Sequence, residues 1–327
     1  MAPVRPADVY YLVADIGGTN TRVALADGIH LLPGTVRRYR NADYSGLETV
    51  LRGFLKEQGN VDCSGACIAV AGPVRDGLGE LTNLDWTIDR ETLASASNSE
   101  TVSILNDLQA QGHALHRIAA KNLRELIPTP PHGPQAVQLV IGIGTGFNAS
   151  AVYPTGQIRL VTPSEAGHAN MPVHTQADLQ LCRYVESLLG FAGIEDILSG
   201  RGLERIYNWL GQNESDLQLA DAAGIVKSLA DGSDPRAKDA CRIFARMFGT
   251  VAGNLALVHL PFGGIYLSGG VARAMAPHLS DLEFARAFRD KGRFSEFMLN
   301  FGMHVIEDDF AALAGCASHL DSLTRRA

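Results

Sequence analysis

Apolar positions along this chain follow two rhythms. Short unbroken runs mark strands buried on both faces, and spacings of three and four residues mark helices packed on them. The first run, Val9-Tyr-Tyr-Leu-Val-Ala14, ends at Asp15; a Gly-Gly pair follows, then Thr21-Arg-Val-Ala-Leu-Ala26. Strand, tight turn and second strand make a hairpin-like start. Another strand is predicted over residues 36–39. Leu47, Val50, Leu51, Phe54 and Leu55 predict a helix from about Gly46 to Gln58. Residues 66–71 read as an apolar strand stopped by Gly72-Pro73, and Asp89 as the N-cap of a short helix through Ala96. Residues 102–105 form the next strand, and Asn106-Asp107 open the helix behind it.

The tract Pro128-Thr-Pro-Pro-His-Gly-Pro134 is the strongest break in the chain. Beyond it lie an apolar strand over 136–143, glycines at 142, 144 and 146, and a strand near 148–153. The longest predicted helix spans about 235–257. Its Ile243, Phe244, Met247, Phe248, Val251, Ala252 and Leu255 make one apolar stripe, read as core. Residues 264–268 form a last core strand closed by Gly269-Gly270, and a final helix covers about 309–323. The order suggests two α/β halves, each opening with a strand, a Gly turn and a strand. A cleft between two such halves can hold a triphosphate from both sides.

Length agrees: 327 residues suit about two domains. With 28 Lys and Arg against 35 Asp and Glu, the net charge is −7. That balance, without a basic cluster, argues against nucleic acid and anionic membrane surfaces as partners. A small anionic ligand stays open, because backbone N–H groups can hold phosphate. The five cysteines, at 63, 67, 182, 241 and 316, are odd in number and contain no CxxC pair, so reduced thiols in a cytoplasmic protein are expected. The start lacks the pattern of a signal peptide. No stretch is expected to approach the ~18 apolar residues that span a membrane.

The candidate chemistry begins at Asp15-Ile16-Gly17-Gly18-Thr19-Asn20-Thr21-Arg22. Glycines let the backbone approach a ligand and expose N–H groups. Thr19, Asn20 and Thr21 can donate to phosphate oxygens. Asp15 repels phosphate and would instead hold Mg²⁺, directly or through water. The alternative is a plain polar turn. A Walker A loop is absent, since no Gly-Lys-Ser/Thr occurs. Ile141-Gly-Ile-Gly-Thr-Gly-Phe-Asn148 has its third glycine one place too early for a dinucleotide fingerprint, and a strand follows where that motif needs a helix. It reads as a second phosphate turn, with Gly144 and Thr145 facing the ligand.

Asp107, at a strand end and helix start, is favoured by the helix dipole. It is either part of a simple N-terminal cap or, beside two phosphate turns, the general base that accepts a hydroxyl proton. Ser164-Glu-Ala-Gly-His168 places a carboxylate and an imidazole in a loop, since Pro163 and Gly167 oppose a helix. Metal binding needs companion ligands that the sequence does not offer. Hydrogen bonds to sugar hydroxyls fit better, because each buried hydroxyl must be satisfied. Glu195 alone reads as a surface residue. Gly269 and Gly270 could let a flat adenosine lie on the backbone, or could serve strand-to-helix packing.

With these pieces in place, the chain resembles the bacterial hexokinase-type glucokinases of the actin-like ATPase superfamily. The resemblance runs from Asp15 to about Ala317. Besides the two turns, Asn106-Asp107 and Ser164 to His168, it rests on Ala69-Val-Ala-Gly-Pro-Val74, Asn83-Leu-Asp-Trp86, Leu198-Ser-Gly-Arg-Gly-Leu203, Leu267-Ser-Gly-Gly-Val271, Phe288-Arg-Asp-Lys-Gly-Arg293 and the stretch 311–317. It implies an α/β, actin-like ATPase (ribonuclease H-like) fold. The small domain would comprise residues 1–117 with a C-terminal helix in 305–327. The large domain would be 118–304, with the active site in the cleft and closure excluding water. It implies that Asn106, Asp107, Glu165, His168 and Glu195 contact glucose and that Asp107 deprotonates its 6-hydroxyl. ATP and Mg²⁺ would be held by Asp15, Gly17, Gly18, Thr19, Asn20, Thr21, Gly144, Thr145, Gly269 and Gly270. It also implies a homodimer.

Three departures bear on sugar selectivity. Ala166 stands where the family has glycine, Arg201 where proline is common, and Phe147-Asn148 where small residues are frequent. The neighbouring repressor–open-reading-frame–kinase proteins carry a cysteine-rich zinc loop after the histidine. Here only Cys182 follows nearby, so no zinc is expected. With the first strand entered by Val9, their DNA-binding helix-turn-helix is not expected here. Two other readings remain: a kinase for mannose or N-acetylglucosamine, and a sugar sensor without chemistry.

Overall fold

The computed structural model describes residues 10–81, 86–156, 158–212 and 220–324. Val9 and most of the Asn83 to Trp86 segment lie outside them.

The chain divides into two compact units, one drawn from Met1–Ala119 and Asp308–Ala327 and the other from Ala120–Glu307. The first unit opens with β1 (Tyr10–Ile16) and β2 (Asn20–Asp27), followed by β3 (His30–Leu31), β4 (Arg37–Arg40), α1 (Leu47–Glu57) and β5 (Cys63–Val70). A small three-stranded sheet comes next: β6 (Val74–Arg75), β7 (Leu78–Gly79) and β8 (Ile88–Asp89). Then come α2 (Arg90–Ser97), β9 (Thr101–Asn106) and α3 (Asp107–Ala114). Asp89 caps α2 as its position predicts, accepting from the Thr92 N–H at 2.7 Å.

The main sheet runs β3-β2-β1-β5-β9, with β4 also beside β2. β1 and β2 are antiparallel, whereas β1, β5 and β9 are parallel. Parallel strands are covered on both faces, which explains their apolar runs. Leu12, Ala14, Ile68 and Val70 face α1 with Val50, Leu51 and Phe54, while Val13, Cys67 and Ala69 face the other side.

The second unit contains β10 (Leu123–Ile127), β11 (Gln138–Ile143), β12 (Phe147–Thr155), β13 (Ile158–Val161), α4 (Gln176–Leu189), α5 (Gly200–Leu210), α6 (Ala222–Asp231) and α7 (Pro235–His259). β14 (Ile265–Ser268), α8 (Gly270–Met275), α9 (Phe284–Arg289) and β15 (Met303–Ile306) complete it. Its sheet runs β10-β15-β14-β11-β12-β13. Setting β10 aside, a three-strand meander followed by two parallel strands repeats the order of the first sheet. The last helix, α10 (Ala311–Thr324), belongs to the first unit. Its Leu313, Cys316, Ala317 and Leu320 cover the outer face of that sheet. Gly315 lets α10 approach α3 closely, since a Cβ there would sit 1.8 Å from the Ala110 carbonyl oxygen.

α7 amends one expectation. By length and composition alone it could cross a membrane. Phe244, Met247, Phe248, Val251 and Ala252 are instead buried in the core of the second unit, with Ile243 and Leu255 half-buried at its margin.

Candidate active site

Ligands of open α/β sheets collect beyond the C-terminal ends of parallel strands. In the first unit those ends are level. Ile16 pairs with Val70, and Val70 with Asn106. The Gly17 to Thr19 turn and the start of α3 therefore leave the same edge of the sheet. Gly17 N–H closes the turn on the Asn20 carbonyl at 3.0 Å, and Gly18 and Thr19 are exposed at its tip.

A residue that motif reading passes over holds this turn. Asn41 is buried, and its Nδ2 donates to the Gly17 carbonyl at 2.7 Å. Its own N–H donates to the Thr19 carbonyl at 2.9 Å, and its Oδ1 accepts from the Thr21 hydroxyl at 2.8 Å. Thr21 is fully buried in β2, so its hydroxyl proton is committed to Asn41. That corrects the expectation of Thr21 as a direct phosphate donor. The signal was out of reach because the β2–β4 pairing, not sequence proximity, brings Asn41 here.

Asp15 pairs across the hairpin with Arg22, whose Nη1 lies 3.5 Å from Asp15 Oδ2. Burial raises the Asp15 pKa above 3.8, and Arg22 opposes the shift. Among the described residues no group of three or more His, Cys, Asp or Glu could hold a metal ion. A single carboxylate still suits Mg²⁺, which keeps most of its waters and is commonly held by one or two carboxylates together with substrate phosphates.

At the end of β9, Asn106 and Gln109 form a capping box. Gln109 N–H donates to Asn106 Oδ1 at 2.7 Å, and Asn106 N–H donates to Gln109 Oε1 at 3.1 Å. Asp107 is the first helical residue and its Oδ1 accepts from the Leu108 N–H at 2.9 Å. The cap fixes the backbone at the point from which Asp107 projects.

The second unit repeats the plan. Gly144 N–H bonds the Gly146 carbonyl at 2.9 Å, and the Gly144 carbonyl accepts from Gly200 N–H at 2.9 Å. Thr145 is exposed at the tip. Glu195 is more than a surface residue: its Oε2 accepts the Phe147 N–H at 3.0 Å, and its own N–H donates to the Gly167 carbonyl at 2.8 Å. It thereby ties the turn at Gly144 to Gly146 to the segment carrying Glu165 and His168. Arg201 Nη2 stands 3.8 Å from the other Glu195 oxygen. Glu165 precedes and His168 ends one 3₁₀ turn, Ala166–His168, in keeping with the loop reading, and both are exposed. Partial desolvation raises the Glu165 pKa above 4.5; His168 lowers it and Glu195 raises it.

Gly269 and Gly270 separate into two roles. At Gly269, φ is 99° and a Cβ would lie 2.3 Å from the Ile143 carbonyl oxygen, so strand-to-helix packing accounts for it. A Cβ at Gly270 would meet nothing within 4 Å, which leaves room for a ligand. The structure thus joins Glu165, His168, Glu195 and the second turn in one unit, and Asp15, the first turn, Asn106 and Asp107 in the other.

The family model for glucokinase matches residues 12–323. The chain is similar to the glucokinase of Rhizobium etli, at 31% identity over 309 residues, covering 94% of this chain and 90% of that one. It is also similar to the crystal structure of a glucokinase from an Antarctic psychrotroph, with a TM-score of 0.83 and 27% identity over 96% of this chain and 99% of the other. The glucokinase of Balamuthia mandrillaris, solved in complex with glucose, gives a TM-score of 0.79 and 25% identity over 94% and 92%. The shared architecture is the actin-like ATPase fold. With a family match spanning both sheets and a relative of this identity covering nearly all of the chain, the chain belongs to the glucokinase family.

Proposed function

We propose that the chain transfers the γ-phosphoryl group of ATP to the 6-hydroxyl of D-glucose, with Asp107 as general base. The 6-oxygen forms the new P–O bond, the bond to the β–γ bridging oxygen breaks, ADP leaves, and the hydroxyl proton passes to Asp107. What carries this reading is the shared strand edge, on which Ile16, Val70 and Asn106 lie in register and the phosphate turn and Asp107 emerge together.

In this reading the Gly18 N–H, with the side chains of Thr19, Asn20 and Thr145, holds the phosphates, and the closed turns at Gly17 and Gly144 bring the backbone close to them. Thr21 and Asn41 brace the first turn. The adenosine lies against Gly270. Asp15 would hold Mg²⁺ directly or through water, and the ion when bound supplies charge neutralisation on the phosphates. Asn106, Glu165, His168 and Glu195 bind the sugar hydroxyls. The two units are the small and large domains, the protein is a homodimer, and the five unpaired cysteines support a cytoplasmic location. A monomer mass in sedimentation would remove the dimer from the reading.

The test is phosphorylation of a hexose panel with Mg-ATP, and glucose is expected to give the highest kcat/KM. A higher value for mannose or N-acetylglucosamine would move the assignment to that sugar. Glucose binding by calorimetry with no ADP released would make the protein a sensor.

A pH profile follows from Glu165. Its carboxylate accepts from sugar hydroxyls most strongly when ionised, and its pKa is raised, with desolvation the main cause. As pH falls through that raised value the group protonates, so kcat/KM for glucose declines at a pH above the ordinary 4.5. The Glu165→Gln variant should lack this acid limb. Identical limbs in the two proteins would take Glu165 out of the sugar site.

A further inference from the structure

Asn148, one of the three departures from the family pattern, is the second residue of β12 and pairs with Gly142 across the hairpin. Its side chain makes a dense set of contacts. Oδ1 accepts from the Ala149 N–H at 2.8 Å, the Ala166 N–H at 3.0 Å and the Ser164 hydroxyl at 3.1 Å. Nδ2 donates to the Ser164 carbonyl and reaches Glu165 Oε2 at 3.5 Å. The orientation of the amide is fixed by chemistry: backbone N–H groups only donate, so the atom facing Ala149 and Ala166 is the oxygen and the atom facing Ser164 is the nitrogen. One side chain therefore grips three consecutive residues, 164, 165 and 166. A glycine or alanine at 148 could make none of these bonds.

We propose that Asn148 is the positioning residue for Glu165, tethering Oε2 so that Oε1 is presented to a sugar hydroxyl. This rests on the assignment of Glu165 as a sugar contact. The neutral amide is essential to the role. It offers an oxygen to the two N–H groups and a donor to the carboxylate, whereas a carboxylate at 148 would keep the first function and reverse the second. Ser164 reinforces the geometry, its one hydroxyl proton shared between the Ala149 carbonyl at 2.6 Å and Asn148 Oδ1 at 3.1 Å. Because the grip reaches the loop and not the phosphates, its effect falls on sugar affinity.

The experiment is a double-mutant cycle on glucose and ATP kinetics with wild type, Asn148→Asp, Glu165→Gln and the double variant, each across a pH series. Asn148→Asp is expected to raise KM for glucose by about tenfold or more, equivalent to about 1.4 kcal/mol. It should leave KM for ATP near wild type and move the acid limb of kcat/KM to higher pH, because a second negative charge next to Glu165 disfavours its ionised form. In the Glu165→Gln background the substitution should lose most of its effect on glucose KM and all of its effect on the acid limb. Equal effects in both backgrounds, or a glucose KM unchanged by Asn148→Asp, would overturn the proposal. If Asn148→Asp fails to fold, Asn148→Gly completes the cycle with the same expectation for KM and coupling. A Glu165→Gln variant with wild-type glucose KM would instead overturn the assignment of Glu165 itself, and so separates the two failures.

Discussion

Replacing Asp107 by asparagine is expected to lower kcat for glucose phosphorylation by about 10²–10⁴-fold, the usual contribution of a positioned general base. The substitution is chosen to remove the basic carboxylate with the least change of shape. Asparagine keeps the shape of aspartate and keeps an oxygen to accept the Leu108 N–H, so the first turn of α3 stays capped. The Asn106–Gln109 capping box is untouched. What disappears is the capacity to take the proton of the 6-hydroxyl. KM for glucose should stay close to wild type, because the amide can still hydrogen-bond the hydroxyl. Loss of a negative charge at a helix N-terminus costs about 0.3–1 kcal/mol of stability, far too little to explain such a loss of rate. Steady-state kinetics with an unfolding curve for each protein separates the two effects. Retention of more than a tenth of wild-type kcat would place the base elsewhere.

The long periodic elements are legible in the chain because burial dictates them. The 235–257 stripe becomes α7, and the apolar runs become β1, β5, β9 and β11 with shifts of a few residues at their ends. β1 continues past Ala14 because Asp15 and Ile16 still pair with Arg22 and Thr21, a partnership that hydrophobicity does not reveal. The two-residue strands β6, β7 and β8 are too short to show any period. β10 escapes for another reason: it is an edge strand whose Arg124 and Glu125 are exposed, so its pattern is that of a polar loop.

The site divides along the same line. Turn residues announce themselves because glycines beside hydroxyl and amide side chains are a local signature. Their supports do not. Asn41 acts on a turn some twenty residues earlier through strand pairing, and Asn148 acts on a loop sixteen residues later. Glu195 reads as a surface residue in the sequence, yet its carboxylate accepts the Phe147 N–H. In each case the chemistry is ordinary and the partner is set by topology. Local sequence therefore identifies groups that could meet a ligand better than the groups that hold them in place.

A second large effect lies away from the chemistry, where α4 meets α7. The Asp178 side chain is only 1% exposed, and both its oxygens face the Arg246 guanidinium. Oδ2 also accepts the N–H groups of His174 at 3.0 Å and Thr175 at 2.9 Å, closing the capping box of α4. Removing one partner of such a buried pair strands the other charge. Arg246→Met is therefore expected to cost about 3–5 kcal/mol in urea unfolding at neutral pH. The sign of the pH dependence follows from Asp178. Burial alone would raise its pKa, but Arg246 and the two N–H groups outweigh it and hold the value below 3.8. A depressed folded-state pKa gives stability that is present above the unfolded value and is lost as pH falls through the folded one. In the variant, burial without Arg246 raises the Asp178 pKa, so the deficit narrows as pH falls from the variant's value toward that of the wild type. Adding Asp178→Asn to Arg246→Met should recover part of the loss, since no buried charge is then left unpaired. A deficit below about 1 kcal/mol, the worth of a solvated surface pair, would show that water reaches Asp178 once the arginine is gone.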